Sequence, residues 1–393
     1  MVETEKQLSE ILERIADELN ISPTMREKAV SSYKAVGKWV GEGLEYDVEI
    51  SPQGSMNLGT VIRPVNDADD GYDMDLVCLI KNGQKLDAAT IKKLVGDRLE
   101  ENDTYRDKLD DEGKRCWTMN YDGFHMDILP CVPKDTIYKK PESTDIRLTH
   151  KENCNTYKDR YSNPCKYHIW FEECMTNILN EKKKLYREFM QKQGTEIEDV
   201  PTYIVRTPLQ QAIQLLKRHR DLMFLDKDEH APISIIITTL AAKAYSGESN
   251  LYETLCSIIA KMPNYIELRG NEYWIENPAM QAENFADKWN LVPEKRKAFY
   301  DWLSKAKEDI IDNPLGCMGL DSLANRLSMV LGEAPVKRAL NNYGDSVRKE
   351  RENGTLRVNG LTGGLTTATK AGSKSVKNHT FYGRESVSEN KKI

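Results

Sequence analysis

Apolar residues recur along this chain in two different rhythms. In TMREKAVSSYKAVGKWVGEG (residues 24–43), Ala29, Tyr33, Val36 and Val40 fall four, three and four apart, the apolar stripe of an amphipathic helix. The spacing then shortens to two. YDVEI (46–50) alternates like a strand, 52–55 reads as a turn, MDLVCLI (74–80) as a largely buried strand, and GFHMDILPCV (123–132) as a third strand.

From Ser162 onward the longer period returns, predicting helices in 163–193, 208–224, 232–247, 283–290 and 293–311. Several begin with proline at or near the first helical position, where a missing N–H costs no hydrogen bond. The apolar run ISIIITTLAA (233–242) is about half of what a bilayer span needs and meets Lys243 at once, so it reads as a buried helix. The charged stretch 181–201 reads as a solvated connector. The expected class is α+β: a sheet lobe with the N-terminal helices in 1–160, a helical lobe in 161–345, and a Gly/Ser/Lys-rich tail in 346–393. That tail has too few large apolar residues to offset its ordering entropy, so it is expected to be mobile or peripherally docked.

Composition narrows the setting. The chain has 393 residues, 39% hydrophobic and 30% charged, enough for two packed cores. Its 56 basic and 62 acidic residues give a net charge of -6, which argues against a life on duplex nucleic acid, where a basic excess releases counterions. The first residues, MVETEKQLSEILERIADELN, are charged and helical in pattern, unlike an export signal. Eight cysteines without regular spacing suggest reduced thiols and a cytoplasmic location. Cys154, Cys165, His168 and Cys174 lack the paired C-x2-C knuckle of a zinc site, and His168 and Cys174 read as residues of one helix.

The chemistry gathers in residues 53–80. Side chains two apart on a strand point the same way, so Asp73 and Asp75 present two carboxylates to one point. Such a pair must share a proton or a metal, and a hard divalent cation suits carboxylates whose substrate supplies phosphate oxygens. Asp127, in FHMDILP, alternates in the same way on a neighbouring strand. Three carboxylates so placed make a two-metal phosphoryl-transfer site. Gly54 allows close backbone approach, and Ser55 with N–H groups at a helix start can hold phosphate oxygens. Asp67, Asp69 and Asp70 sit among turn formers and read as solvated. Lys217, beside Arg218 and Arg220, reads by itself as part of a solvated helix face, and Ser234 as a cap residue.

These residues resemble the nucleotidyltransferases of the DNA polymerase beta superfamily, and within it the cGAS/DncV-like enzymes, the CD-NTases. GSMNLGTVIRP followed by DMD is similar to that family's G-S-x-x-x-G-T…D-x-D signature, and FHMDILP to its third-Asp strand. Blocks at 162–173, 209–221, 231–245 and 282–290 extend the likeness over about residues 25–310. The resemblance implies a bilobal fold with a long N-terminal spine helix and a helical lobe completing the nucleotide pocket. It implies a cytosolic bacterial enzyme that joins nucleoside triphosphates into a cyclic di- or trinucleotide, releasing pyrophosphate, and whose product activates an effector during phage infection. By this carry-over Asp73 and Asp75 bind two magnesium ions, with manganese a substitute, and Asp127 binds the catalytic ion and helps deprotonate the attacking hydroxyl. Gln53, Gly54 and Ser55 line the donor triphosphate, and Lys217 and Ser234 reach its phosphates from the helical lobe.

The departures matter as well. The DNA-binding zinc insertion of the animal sensor is not recognisable, so duplex DNA is not expected to be obligatory, and no membrane partner is implied. Ile235 follows Ser234 where the animal enzyme has a stacking tyrosine, so base choice does not carry over. The tail is a candidate handle for a regulatory partner. A terminal nucleotidyltransferase acting on RNA is the alternative reading, and the net acidity counts against its acceptor groove.

Overall fold

Ser22 accepts the Met25 N–H at 3.1 Å and Pro23 takes the first helical position, so the chain leaving α1 (Glu3–Glu18) restarts at once as α2 (Pro23–Gly43). The computed structural model describes residues 3–65, 71–134, 144–193, 205–225, 228–358, 365–366 and 373–376. Asp67, Asp69, Asp70 and most of the tail therefore lie outside the described residues. After α2 come β1 (Val48–Pro52), the short helix α3 (Gly54–Leu58), β2 (Tyr72–Ile80), α4 (Ala88–Glu100), α5 (Asp103–Arg106), β3 (Trp117–Tyr121), β4 (Phe124–Pro133), β5 (Ile146–Asn153) and β6 (Thr156–Ser162). The turn expected at 52–55 is instead a strand end running directly into α3.

These strands form one mixed sheet in the order β1-β2-β4-β5-β6, with β3 pairing β4. β2 and β4 run parallel and every other pair is antiparallel. β3 and β5 share one edge of β4, the first on residues 124–128 and the second on 131–133. One face of the sheet, with Met74, Leu76, Cys78, Ile80, Met126 and Ile128, packs on α2 and α4. Alternation sends Asp73, Asp75 and Val77 to the other face, where Val77 joins a small cluster with Cys131 and Ile146.

The rest of the chain is mainly helical. It comprises α6 (Pro164–Lys192), α7 (Pro208–Met223), α8 (Ser234–Ala244), α9 (Leu251–Lys261), the hairpin β7 (Glu267–Arg269) and β8 (Glu272–Trp274), the pair β9 (Glu276–Asn277) and β10 (Met280–Asn284), α10 (Asp287–Leu291), α11 (Pro293–Lys307), α12 (Asn313–Leu315), α13 (Leu320–Leu331) and α14 (Glu333–Glu352). A short ladder of β11 (Arg357–Val358), β12 (Leu365–Thr366) and β13 (Lys374–Ser375) follows. Pro164, Pro208 and Pro293 open their helices as expected. The run 233–242 lies almost wholly in α8, which is largely buried. Among the described residues no helix is long and apolar enough to cross a membrane.

A further expectation is corrected. Residues 283–290 are not one helix: Asn284 ends β10, accepts the Ile275 and Ala286 N–H groups, and donates to Tyr273 O, each at 2.9 Å. Such side-chain bonds to the backbone compete with helix, which resumes only at Asp287. The two N-terminal helices pack on different cores. α1 buries Leu8, Ile11, Leu12, Ile15 and Leu19 in the core of the helical lobe, while α2 packs on the sheet. Glu18 at the end of α1 accepts from Arg338 of α14 at 2.8 Å.

α7 joins the two cores. It is buried from Pro208 to His219, and one face donates to backbone carbonyls at the end of α3 and just after it. Gln210 donates to Leu58 O at 2.9 Å, Gln214 to Val61 O at 2.8 Å, Lys217 to Thr60 O at 3.1 Å, and Arg218 to Arg63 O at 2.6 Å. Arg206, just ahead of the helix, donates to Gly59 O. The loop forms no strand, so without these donors its buried carbonyls would lack partners. Gln214→Ala strips the donor from both Val61 O and Asn20 Oδ1. It should destabilise the protein by about 1–3 kcal/mol, read as a lower urea midpoint.

Candidate active site

The register of the parallel pair β2 and β4 sets the centre of the site. Asp75 stands opposite Asp127 and Asp73 opposite His125, and all four side chains project from the face away from α2 and α4. Asp75 is half-buried and Asp73 more open. Burial, then Asp127, then Asp73, push the Asp75 carboxyl up to about 6. Asp73 is also raised, first by the protein crowding its carboxylate and then by Asp127. The site is thus an excess of negative charge, which a cation relieves.

Gly54 and Ser55 open α3 directly over this pair. The Gln53 N–H donates to Asp75 O at 2.8 Å, extending the contact of β1 with β2 by one residue. Gln53 makes no side-chain cap bond. Gly54 has φ +59, and a Cβ there would collide with Asp75 Oδ2, so only glycine lets the backbone lie on the carboxylate. Gly59, at φ +68, closes α3 against Arg206 and Gln210.

Lys217 is not on a solvated face. It is 6% exposed, and its ammonium is held down to about 8 by burial first and then by Arg220, against the pull of Asp221, Asp73 and Asp75. The bare pattern suggests a surface helix because α7 carries many polar residues, yet those residues serve carbonyls rather than water. Ser234 is the first residue of α8, and its Oγ accepts from Arg220 at 3.2 Å. Arg220 is close enough to Lys217 to depress it, so Ser234 belongs to the same group of side chains.

Two neighbours escape sequence reasoning. Thr118 on β3 lies opposite Asp127 and donates to its Oδ1 at 2.6 Å, orienting that carboxylate. The alternation of WTMNY just before the FHMD strand was the available signal. Arg220, one helical turn after Lys217, was visible only as part of a basic run.

The donor set fits a hard divalent cation: three carboxylates, all oxygen, whose mutual repulsion Lys217 and His125 offset only in part. Asp73, Asp75 and Asp127 are the residues that could hold it. Among the described residues no three acidic, histidine or cysteine side chains converge tightly enough to cage an ion by themselves.

Two outcomes follow from this geometry. The folded state binds the Asp75 proton more tightly than an unfolded carboxylate near 3.8 does. The resulting penalty is absent below about pH 3.8 and complete above about pH 6. Asp75→Asn should therefore raise the melting temperature near pH 7.5, an effect on the order of 1–3 kcal/mol, and the gain should vanish near pH 4. Magnesium should raise the melting temperature of the parent protein and not of this variant. Gly54→Ala should displace Asp75 and cut pyrophosphate release by about tenfold or more, roughly the effect of an ångström-scale misplacement, with the fold retained by circular dichroism.

Comparison with known proteins bears on the family. The family described as the Second Messenger Oligonucleotide or Dinucleotide Synthetase domain matches residues 6–163. A protein of Roseivirga ehrenbergii named c-di-GMP synthase is 32% identical over 386 residues, spanning 96% of this chain and 97% of that protein. The cyclic dinucleotide synthase CdnG of Bradyrhizobium diazoefficiens is 25% identical over 378 residues, 90% of this chain and 88% of that protein. The fold superposes on the structure of the B. diazoefficiens CD-NTase CdnG in complex with GTP with a TM-score of 0.67 at 22% identity, covering 86% of this chain and 99% of that one. A relative at 32% identity along nearly the whole of both chains, on a sheet bearing Asp73, Asp75 and Asp127, settles the family: the chain belongs to the CD-NTases, the nucleotidyltransferases that make cyclic oligonucleotide second messengers.

Proposed function

We propose that this CD-NTase joins two molecules of GTP into cyclic di-GMP, releasing one pyrophosphate for each bond formed. The observation that carries the reaction is the registered Asp75–Asp127 pair beside Asp73, lying under Gly54 and close to Lys217. The choice of guanine rests on the relatives, one named a c-di-GMP synthase and one solved with GTP.

In each round a ribose hydroxyl of the acceptor attacks the α-phosphorus of the donor, and the bond to the departing pyrophosphate breaks. Asp127, its Oδ1 oriented by Thr118, takes the hydroxyl proton and passes it to solvent. Ser55 and the first N–H groups of α3 bind the donor phosphates, with Gln53 beside them. Lys217 and Ser234 meet the same phosphate chain from the helical lobe. Lys217 now donates to Thr60 O, and an arriving phosphate competes for that ammonium and raises its proton affinity. CD-NTases are generally dependent on divalent metals, and two magnesium ions, or manganese, on Asp73, Asp75 and Asp127 would neutralise triphosphate charge and ease loss of the hydroxyl proton. The released cyclic nucleotide acts on a downstream effector in anti-phage signalling, and the C-terminal tail is a candidate docking handle for a regulatory partner.

The test is incubation with all four nucleoside triphosphates, each radiolabelled in turn, and magnesium, followed by phosphatase treatment and mass analysis. A phosphatase-resistant product containing two guanylates is expected. A resistant product of another base composition overturns the guanine assignment, and extension of added RNA overturns cyclisation. Asp73→Asn with Asp75→Asn should lower pyrophosphate release by at least about a thousandfold, as expected when the groups that carry the chemistry are removed together. The double variant should remain folded by circular dichroism.

A further inference from the structure

On the nucleotidyltransferase reading above, we propose that Arg220 is a positioning residue that presets Ser234 as a hydrogen-bond donor to the phosphate chain of the bound nucleoside triphosphate. Its guanidinium makes three separate bonds. Nε donates to Asp221 Oδ1, Nη1 to Pro232 O at 2.5 Å, and Nη2 to Ser234 Oγ at 3.2 Å. Its side chain is only 14% exposed.

The direction of the bond to Ser234 is what matters. A guanidinium has five N–H donors and no acceptor, whereas a hydroxyl has one donor and two acceptor lone pairs. Arg220 therefore occupies a lone pair of Ser234 Oγ and leaves the O–H to donate elsewhere. Its partner is then an acceptor, and the phosphate oxygens of a nucleotide held by Lys217 are acceptors. The charged donor also polarises the hydroxyl and strengthens the bond it gives.

The same fork pins the backbone just ahead of α8. The Pro232 carbonyl and the Ser234 hydroxyl are two residues apart, and both are held to α7 one turn beyond Lys217. One rigid group thereby fixes the position of Ser234 relative to Lys217. Asp221 completes the arrangement by holding Nε and orienting the plane of the fork. A lysine keeps the charge but not the planar geometry, and cannot hold three acceptors in one fixed fan.

The experiment uses the full chain with magnesium and compares the parent protein with Arg220→Ala, Arg220→Lys, Ser234→Ala and the two double variants combining each Arg220 change with Ser234→Ala. KM and kcat for GTP are read from pyrophosphate release, Kd for a non-hydrolysable GTP analogue from calorimetry, and folding from the melting temperature. Each single variant should raise KM and Kd by about tenfold, the loss of one charge-reinforced hydrogen bond, with kcat changed far less. Each double variant should be no more than about twofold worse than its poorer parent, because residues acting through one bond are not additive.

Multiplied effects in a double variant, or a normal KM in Arg220→Lys, overturn the inference. Should Arg220→Ala fail to fold, Arg220→Lys with its double variant decides the matter. The readouts also separate two failures. Absence of any product from GTP in the parent protein strikes the proposed reaction, while additive analogue affinities strike the role of Arg220 alone.

Discussion

The donors along α7 hold this protein in its working shape. Arg206, Gln210, Gln214, Lys217 and Arg218 give hydrogen bonds to the carbonyls of Gly59, Leu58, Val61, Thr60 and Arg63. A loop that pairs with no strand must find its hydrogen bonds elsewhere, and here a buried helix supplies them. The consequence is geometric. α3 is anchored at its end by this clamp and at its start by the Gln53 bond to Asp75, so Gly54 cannot leave the carboxylate. Lys217 belongs to the clamp and to the site at once.

The site itself is built against its own stability. Asp75 is raised to about 6 and Lys217 lowered to about 8, and burial is the first cause of both. Each group is disfavoured in its charged state. Rigid packing of Met74 and Leu76 beneath β2, and of α7 on every side, keeps the charges from dispersing. On the proposed reaction, a triphosphate and its cations would relieve both penalties and draw affinity from them.

Around that centre, hydrogen bonds orient two further groups. Thr118 fixes one oxygen of Asp127, and Arg220 fixes the hydroxyl of Ser234. Neither neighbour carries a motif, because a threonine on a strand and an arginine in a basic helix are common in any sequence. Their roles arise from register: β3 runs antiparallel to β4, bringing Thr118 to Asp127, and α7 passes α8 where Ser234 begins it.

The sequence by itself determined the local elements and the carboxylate frame. The four-and-three spacing of α2, the alternation in β2 and β4, and the prolines opening α6, α7 and α11 are short-range constraints that any tertiary context must respect. Asp73 and Asp75 share a face because a strand has a period of two. Tertiary structure alone decided the partners. α1 leaves the sheet for the helical core because its stripe of Leu8, Ile11, Leu12, Ile15 and Leu19 finds cover there. The helix expected at 283–290 yields to the side-chain bonds of Asn284. Lys217 reads as solvent-facing from its basic neighbours and is buried because a distant loop needs its proton. Periodicity states how a side chain points from its own element, but what it meets depends on the packing of segments far apart in the chain, and no local pattern encodes that.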